Sequence, residues 1–356
     1  MGSDEDGAGG RLGLGGESIT RGLLFAVVLF SFFSIALMQI SLGLAFLNWI
    51  VGAKRARWST VRAPLARPMA AYVVLSVVSG ALAMAGPSVK DGLTDGMPML
   101  VYLVTLNVMA QPRYLRRSMD FVIAGGALAA LYGLAPMVLE RTGLRIQGSL
   151  SHYYTFSGVV MVAVVVGIAR LVFSNGGRER VLVAAGTTCM VVALLFTQTR
   201  SAWLAVLVGA LVVLLARERR LLPLLPVLAV IAYFLAPAHV QDRIRSTVDT
   251  TDATANERVA MWETGWRIFQ DEPVFGIGPR RVPFVYGDYR DPDSPYTDTP
   301  IPGHLHNNIV NIGVERGVTG LLAWLVFWLA WFARTAGIHR LLGRGSDQDL
   351  DSRAAV

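Results

Sequence analysis

The chain has a single cysteine in 356 residues, which excludes an intrachain disulfide and a cysteine-based metal site. Cys189 lies inside an apolar run and reads as a small packing residue. Charge is also scarce: 16% of residues are charged against 53% hydrophobic, and the mean hydropathy is +0.49. These values are far from those of a soluble domain and point to a chain written for a bilayer. The first residues, "MGSDEDGAGGRLGLGGESITR", lack the basic start and apolar centre of a cleavable signal peptide. Residues 1–21 are glycine-rich and acidic and are expected to form a disordered tail. The net charge of +7 arises from short basic clusters between apolar runs. Such clusters act as orientation signals in a membrane protein, so nucleic acid is not an expected partner.

What is present is a succession of apolar segments, at 22–53, 69–86, 97–111, 119–138, 156–173, 181–198, 201–216, 221–236 and 317–334. Most are close to the ~17–25 residues a helix needs to cross the hydrocarbon core. The first is too long for one perpendicular helix and contains "FSIALMQISLG", which suits two short passes, one broken helix or a tilted one. The expected fold is an all-α polytopic membrane protein with 9–10 transmembrane helices and one large extracytoplasmic loop. Four basic loops, at 54–67, 113–117, 176–180 and 217–220, are assigned to the cytoplasm, because short cytoplasmic loops retain Lys and Arg. The remaining loops then face outward. The resulting organisation is a bundle over 22–236, an outer loop with the candidate motif over 237–316, a last helix over 317–334 and a cytoplasmic tail over 335–356.

The segment interiors hold almost no ionisable residue. Asp120 and Arg170 lie near segment ends, whereas an ion-coupled carrier keeps ionisable groups at mid-membrane. No internal repeat stands out, which weakens an inverted-repeat transporter as well.

Chemistry is therefore sought in the outer loop. "NERVAMWETGWRIFQDEP" places Val259, Trp262, Trp266 and Phe269 at helical spacing, predicting an amphipathic helix ended by Pro273. The following "VFGIGPRRVPFVYGDYRDPDSPYTDTPIPG" is rich in glycine, proline and aspartate and predicts turns. Then comes "HLHNNIVNIGVERGVTG". If a helix begins near His304, then His304, Asn307, Asn308, Asn311 and Glu315 share one face and His306 turns away from them. A histidine separation of two does not suit a helical metal pair, so no metal site is expected. A helix start would keep an imidazole neutral, the form that accepts a proton, and would attract phosphate. A hydrogen-bonding cap at the membrane entry is the competing reading of these residues. Arg200, in "TQTRSAW", is either a snorkelling residue or an anion contact. Arg258 poses the same choice, with pairing to Glu257 or Glu263 as its plain alternative. Arg280 and Arg281, in "GIGPRR", form a further cationic pair in a turn rather than a phosphate loop.

His306-Asn307, nine residues, Gly317, two residues and Gly320 together resemble the signature of bacterial O-antigen ligases. "TQTRSAWLAVLVG" resembles that family's arginine-opened transmembrane helix, and "ERVAMWETGWRIFQDEPVFGIGP" its arginine-tryptophan helix and proline-glycine turn. The motifs fall in order over residues 197–320, and the N-terminal half matches only as a set of transmembrane segments. The resemblance implies an inner-membrane enzyme of the ligase and polymerase superfamily, acting on the periplasmic face. It implies an undecaprenyl-diphosphate-linked glycan as donor and lipid A core or another glycan as acceptor. His306 would be the base, and Arg200 and Arg258 would hold the diphosphate. His304, Asn307, Arg280 and Arg281 are secondary candidates, Gly317 and Gly320 structural members of the motif, and neither metal nor cofactor is required. The chain is short for a family that usually has about twelve passes.

Overall fold

The structure, a computed structural model, describes residues 6–53, 63–83, 86, 88–139, 145–150, 152–173, 177–245 and 253–342. Most of the basic loop 54–67 and the end of the cytoplasmic tail lie outside the described residues. Among the described residues the regular structure is helical: α1 (Asp6–Phe30), α2 (Ile35–Ala53), α3 (Ala66–Ala81), α4 (Val89–Thr94), α5 (Met97–Met109), α6 (Pro112–Leu139) and α7 (Tyr153–Phe173), followed by α8 (Arg178–Phe196), α9 (Arg200–Arg217), α10 (Leu224–Leu235), α11 (Ala238–Arg245), α12 (Ala253–Asp271), α13 (Val282–Tyr289) and α14 (Asn308–Leu342).

This is an all-α polytopic membrane protein. Six helices, α2, α6, α7, α8, α9 and α14, are long and apolar enough to span a bilayer. The other expected passes fall on α1, whose N-terminal half is glycine-rich, and on the shorter α3, α5 and α10. The chain divides into two compact units, one of Met1–Trp58 with Val108–Asp249 and one of Ser59–Asn107 with Thr250–Val356.

In the first unit the long opening run is broken at 31–34 into two helices, α1 and α2. They pair as a hairpin, since Asn48 Nδ2 donates to Gly16 O at 2.6 Å and to Thr20 Oγ1 at 2.8 Å. Helical backbone begins at Asp6, inside the stretch expected to be a tail, and Asn48 of α2 holds α1 at Gly16 and Thr20. The core of this unit gathers Phe32, Phe156, Val160, Val164, Met190 and Leu194 from the start of the hairpin turn, α7 and α8. Arg170, in the last turn of α7, is paired with Asp120 and Glu179.

In the second unit α12 and α13 lie against the start of α14, and the core joins Met261, Ile268, Ile277, Val282, Leu305 and Val314. The expected amphipathic helix is present as α12, and its apolar spacing and its packed face are not the same side. Val259, Trp262 and Trp266 are substantially exposed, while Met261, Thr264, Gly265 and Ile268 are buried. Gly265 explains the choice: a Cβ there would stand 2.7 Å from Leu305 Cδ1, so the helix approaches α14's leader along its small-residue face. The stretch expected to be turns contains the short helix α13, started by Pro283 in its first turn.

Candidate active site

The site is assembled around the beginning of α14. Asn307 caps that helix, its Oδ1 accepting the N–H groups of Ile309 at 3.0 Å and Val310 at 3.3 Å. Just upstream, Leu305 is fully buried and held at both ends of its peptide. Its N–H donates to Asn311 Oδ1 at 3.0 Å, and its carbonyl accepts the Trp262 indole N–H at 3.0 Å.

Burying Leu305 sends its two neighbours the other way. His304 and His306 are both exposed, with ring centroids 4.3 Å apart. The helical reading, in which the two histidines face apart, is thus corrected. The helix starts at Asn308, and the residues before it are not helical, so positions two apart share a side. His306 itself adopts φ +51°, a left-handed conformation uncommon for a residue with a side chain. Such a conformation costs about 1–2 kcal/mol and persists because Leu305 and Asn307 are fixed on either side.

His306 is held below the ordinary imidazole pKa. The surrounding protein removes part of its hydration, and His304 and Arg258 add positive charge nearby; all three disfavour the imidazolium. The ring is therefore a neutral proton acceptor at neutral pH. Arg258 belongs to α12, one turn before Trp262, so the same helix supplies both the charge and the anchor.

Gly317 breaks α14 with φ +62° and ψ −170°. At this break the segment after α12 runs alongside. Ile277 N–H donates to Val314 O at 3.0 Å, Gly278 N–H to Glu315 O at 2.9 Å, and Val318 N–H to Pro273 O at 2.8 Å. A Cβ on Gly317 would overlap the Val274 carbonyl, and one on Gly320 would overlap Arg316 Cβ. Both glycines of the motif are thus required by close backbone or side-chain approach.

Two buried charges lie next to the break. Glu315 accepts the Arg280 backbone N–H at 2.9 Å and the Arg316 guanidinium at 2.8 Å. Arg316 also reaches Asp95 at 2.6 Å and Ser76 Oγ at 2.8 Å, and lies over the Tyr72 ring. Arg280, at φ +59°, extends its side chain to Asp91 at 3.4 Å. Arg280, Glu315 and Arg316 help to line an open cleft of about 530 Å³, together with Tyr72, Gly303, His304 and Asn311. Asp95, Arg316, Ser76 and Trp262 were not singled out for these roles in the sequence, although a charged pair in "VERGVTG" just before an apolar run was a signal.

Of the expected residues, His304, His306 and Arg258 come together, Arg280 shares the cleft with His304, and Arg281 lies over the Phe284 ring at 5.1 Å. Arg200 belongs to the other unit, where it is half-buried and opens α9 behind Thr199. Residues 185–325 match the family model described as O-antigen ligase. No curated protein matches the chain.

Proposed function

We propose that this chain, whose residues 185–325 match the O-antigen ligase family model, transfers a glycan from undecaprenyl diphosphate to an acceptor hydroxyl at the periplasmic face of the bacterial inner membrane. The family match and the six membrane-length helices support the coarser reading, a multi-pass membrane glycosyltransferase of the ligase and polymerase type acting on a lipid-linked glycan and a glycan acceptor. The observation that carries the finer reading is a neutral, exposed His306 presented beside Arg258 by the buried Leu305.

In the proposed reaction the His306 imidazole takes the proton of the acceptor hydroxyl. The freed oxygen attacks the anomeric carbon, the bond from that carbon to the diphosphate oxygen breaks, and configuration inverts. Arg258, beside His306, is the proposed diphosphate contact of this unit, and Arg200 is proposed as a second from the family resemblance; a guanidinium's fixed charge opposes the negative charge that grows on the diphosphate as it leaves. Two guanidinium groups can do this without a divalent ion, so transfer is expected to persist in chelator. The 530 Å³ cleft beside His304 is the space assigned to the acceptor sugar. Lipid A core is the proposed acceptor.

The test is transfer in liposomes containing the purified protein and labelled diphosphate-linked glycan, with and without lipid A core. Label moving to lipid A supports the ligase reading. A lengthening lipid-linked ladder without that acceptor replaces it with a polymerase, and glycan crossing the bilayer with every diphosphate bond intact replaces it with a carrier.

A further inference from the structure

Arg200 opens α9 immediately after a three-residue turn, Thr197 to Thr199, that follows α8. The end of α8 leaves backbone carbonyls without helical partners. Trp203 Nε1 donates to Leu194 O at 2.9 Å, and Ile146 N–H to Phe196 O at 3.3 Å. The next two carbonyls both accept from Arg145, which donates Nε–H to Thr197 O at 3.0 Å and an Nη2 N–H to Gln198 O at 3.1 Å; Thr197 O also accepts the Thr199 hydroxyl at 3.3 Å. Its guanidinium lies 3.6 Å from the centroid of the Tyr153 ring, which fixes the plane of the fork. Gln198 has φ +54°, so the clamp falls on the strained residue of the turn.

We propose that Arg145 is a positioning residue for the donor site: by gripping the Thr197 and Gln198 carbonyls it sets the direction in which Arg200 leaves the helix start. The inference rests on the reading of Arg200 as a diphosphate contact. Three features favour a geometric role. The two donors lie on one planar fork and meet consecutive carbonyls, a fixed geometry that a lysine ammonium, a point charge on a flexible stem, does not reproduce. The positive charge sits at the negative end of α8, where it is stabilised without an external anion. The turn beyond the clamp is short, and the N–H groups of Ala202 and Trp203 return to Thr199 O at 3.0 and 3.2 Å, so displacement of the turn is passed directly to Arg200.

The experiment measures binding of undecaprenyl diphosphate to the full-length protein in detergent for Arg145→Lys, Arg145→Ala, Arg200→Ala and the Arg145→Ala/Arg200→Ala double variant. Amide hydrogen exchange over residues 197–203 is followed in parallel. Both Arg145 variants are expected to raise Kd about ten-fold, the double variant to bind no more weakly than Arg200→Ala, and exchange in the turn to quicken. Full affinity in Arg145→Lys, losses that multiply in the double variant, or unchanged exchange would each overturn the proposal. If Arg200→Ala binds like the parent, the diphosphate role of Arg200 fails instead, and exchange alone then decides whether the clamp exists. If Arg145→Ala does not fold, Arg145→Lys and its combination with Arg200→Ala carry the same comparison.

Discussion

The indole of Trp262 donates to the backbone carbonyl of Leu305 at 3.0 Å, tying the helix that carries Arg258 to the segment that presents His306. This bond sets the distance between a fixed positive charge and the proposed base. Trp262→Phe keeps most of the ring but leaves that carbonyl without its donor. The variant is expected to lose about 1–2 kcal/mol of stability and to transfer several-fold more slowly, with donor binding little changed. Thermal unfolding, turnover and donor binding measured together check it.

The ionisation of His306 gives a second prediction. Lost hydration and the positive charges of His304 and Arg258 disfavour imidazolium, so its pKa is lowered and the base form survives into mildly acidic solution. Transfer should therefore fall only as pH drops through a value below the ordinary histidine range. Arg258→Gln removes one of the opposing charges, so the acidic limb of kcat/KM should move to higher pH. A limb that stays in place would remove Arg258 from the account of the base.

Gly317→Ala places a side chain at φ +62° and against the Val274 carbonyl. Backbone strain and overlap together predict a loss of more than about 2 kcal/mol, read as a large fall in thermal stability of the solubilised protein.

Glu315→Ala removes an acceptor from both Arg316 and the Arg280 backbone while leaving the Arg316 charge buried. Breaking a buried pair from one side is expected to cost about 3–5 kcal/mol. Asn307→Ala, which only loses a cap, should cost about 1 kcal/mol. Unfolding in matched detergent would rank the two, and an equal cost would contradict the difference drawn between them.

The membrane character was legible in the sequence because hydropathy is a local property of each segment. For the first apolar run the sequence left two short passes, one broken helix or a tilted one open, and the structure resolves it as the hairpin of α1 and α2. His306, Gly317 and Gly320 were picked out by their resemblance to the ligase signature, and their physical reasons were not accessible that way. Those reasons lie in residues distant along the chain: Trp262 for the histidine segment, Val274 for the break, and Asp95 with Ser76 for Arg316. The two histidines were misread for a narrower reason. Asn307 is a strong helix-capping residue ahead of an apolar run, and reading it as the cap would have started the helix at Asn308 and left His304 to His306 outside it. The amphipathic helix α12 was legible from its aromatic spacing, whereas the face that packs on the protein was not, because it is set by Gly265, whose small size admits Leu305.

The proposed chemistry depends most on the proton taken by His306. The direct measurement is the single-turnover transfer rate in liposomes of His306→Ala against the parent, paired with the donor Kd of each. The account predicts a rate lower by about 10²–10⁴-fold with an unchanged Kd. A His306→Ala protein that transfers at nearly the parental rate would contradict it.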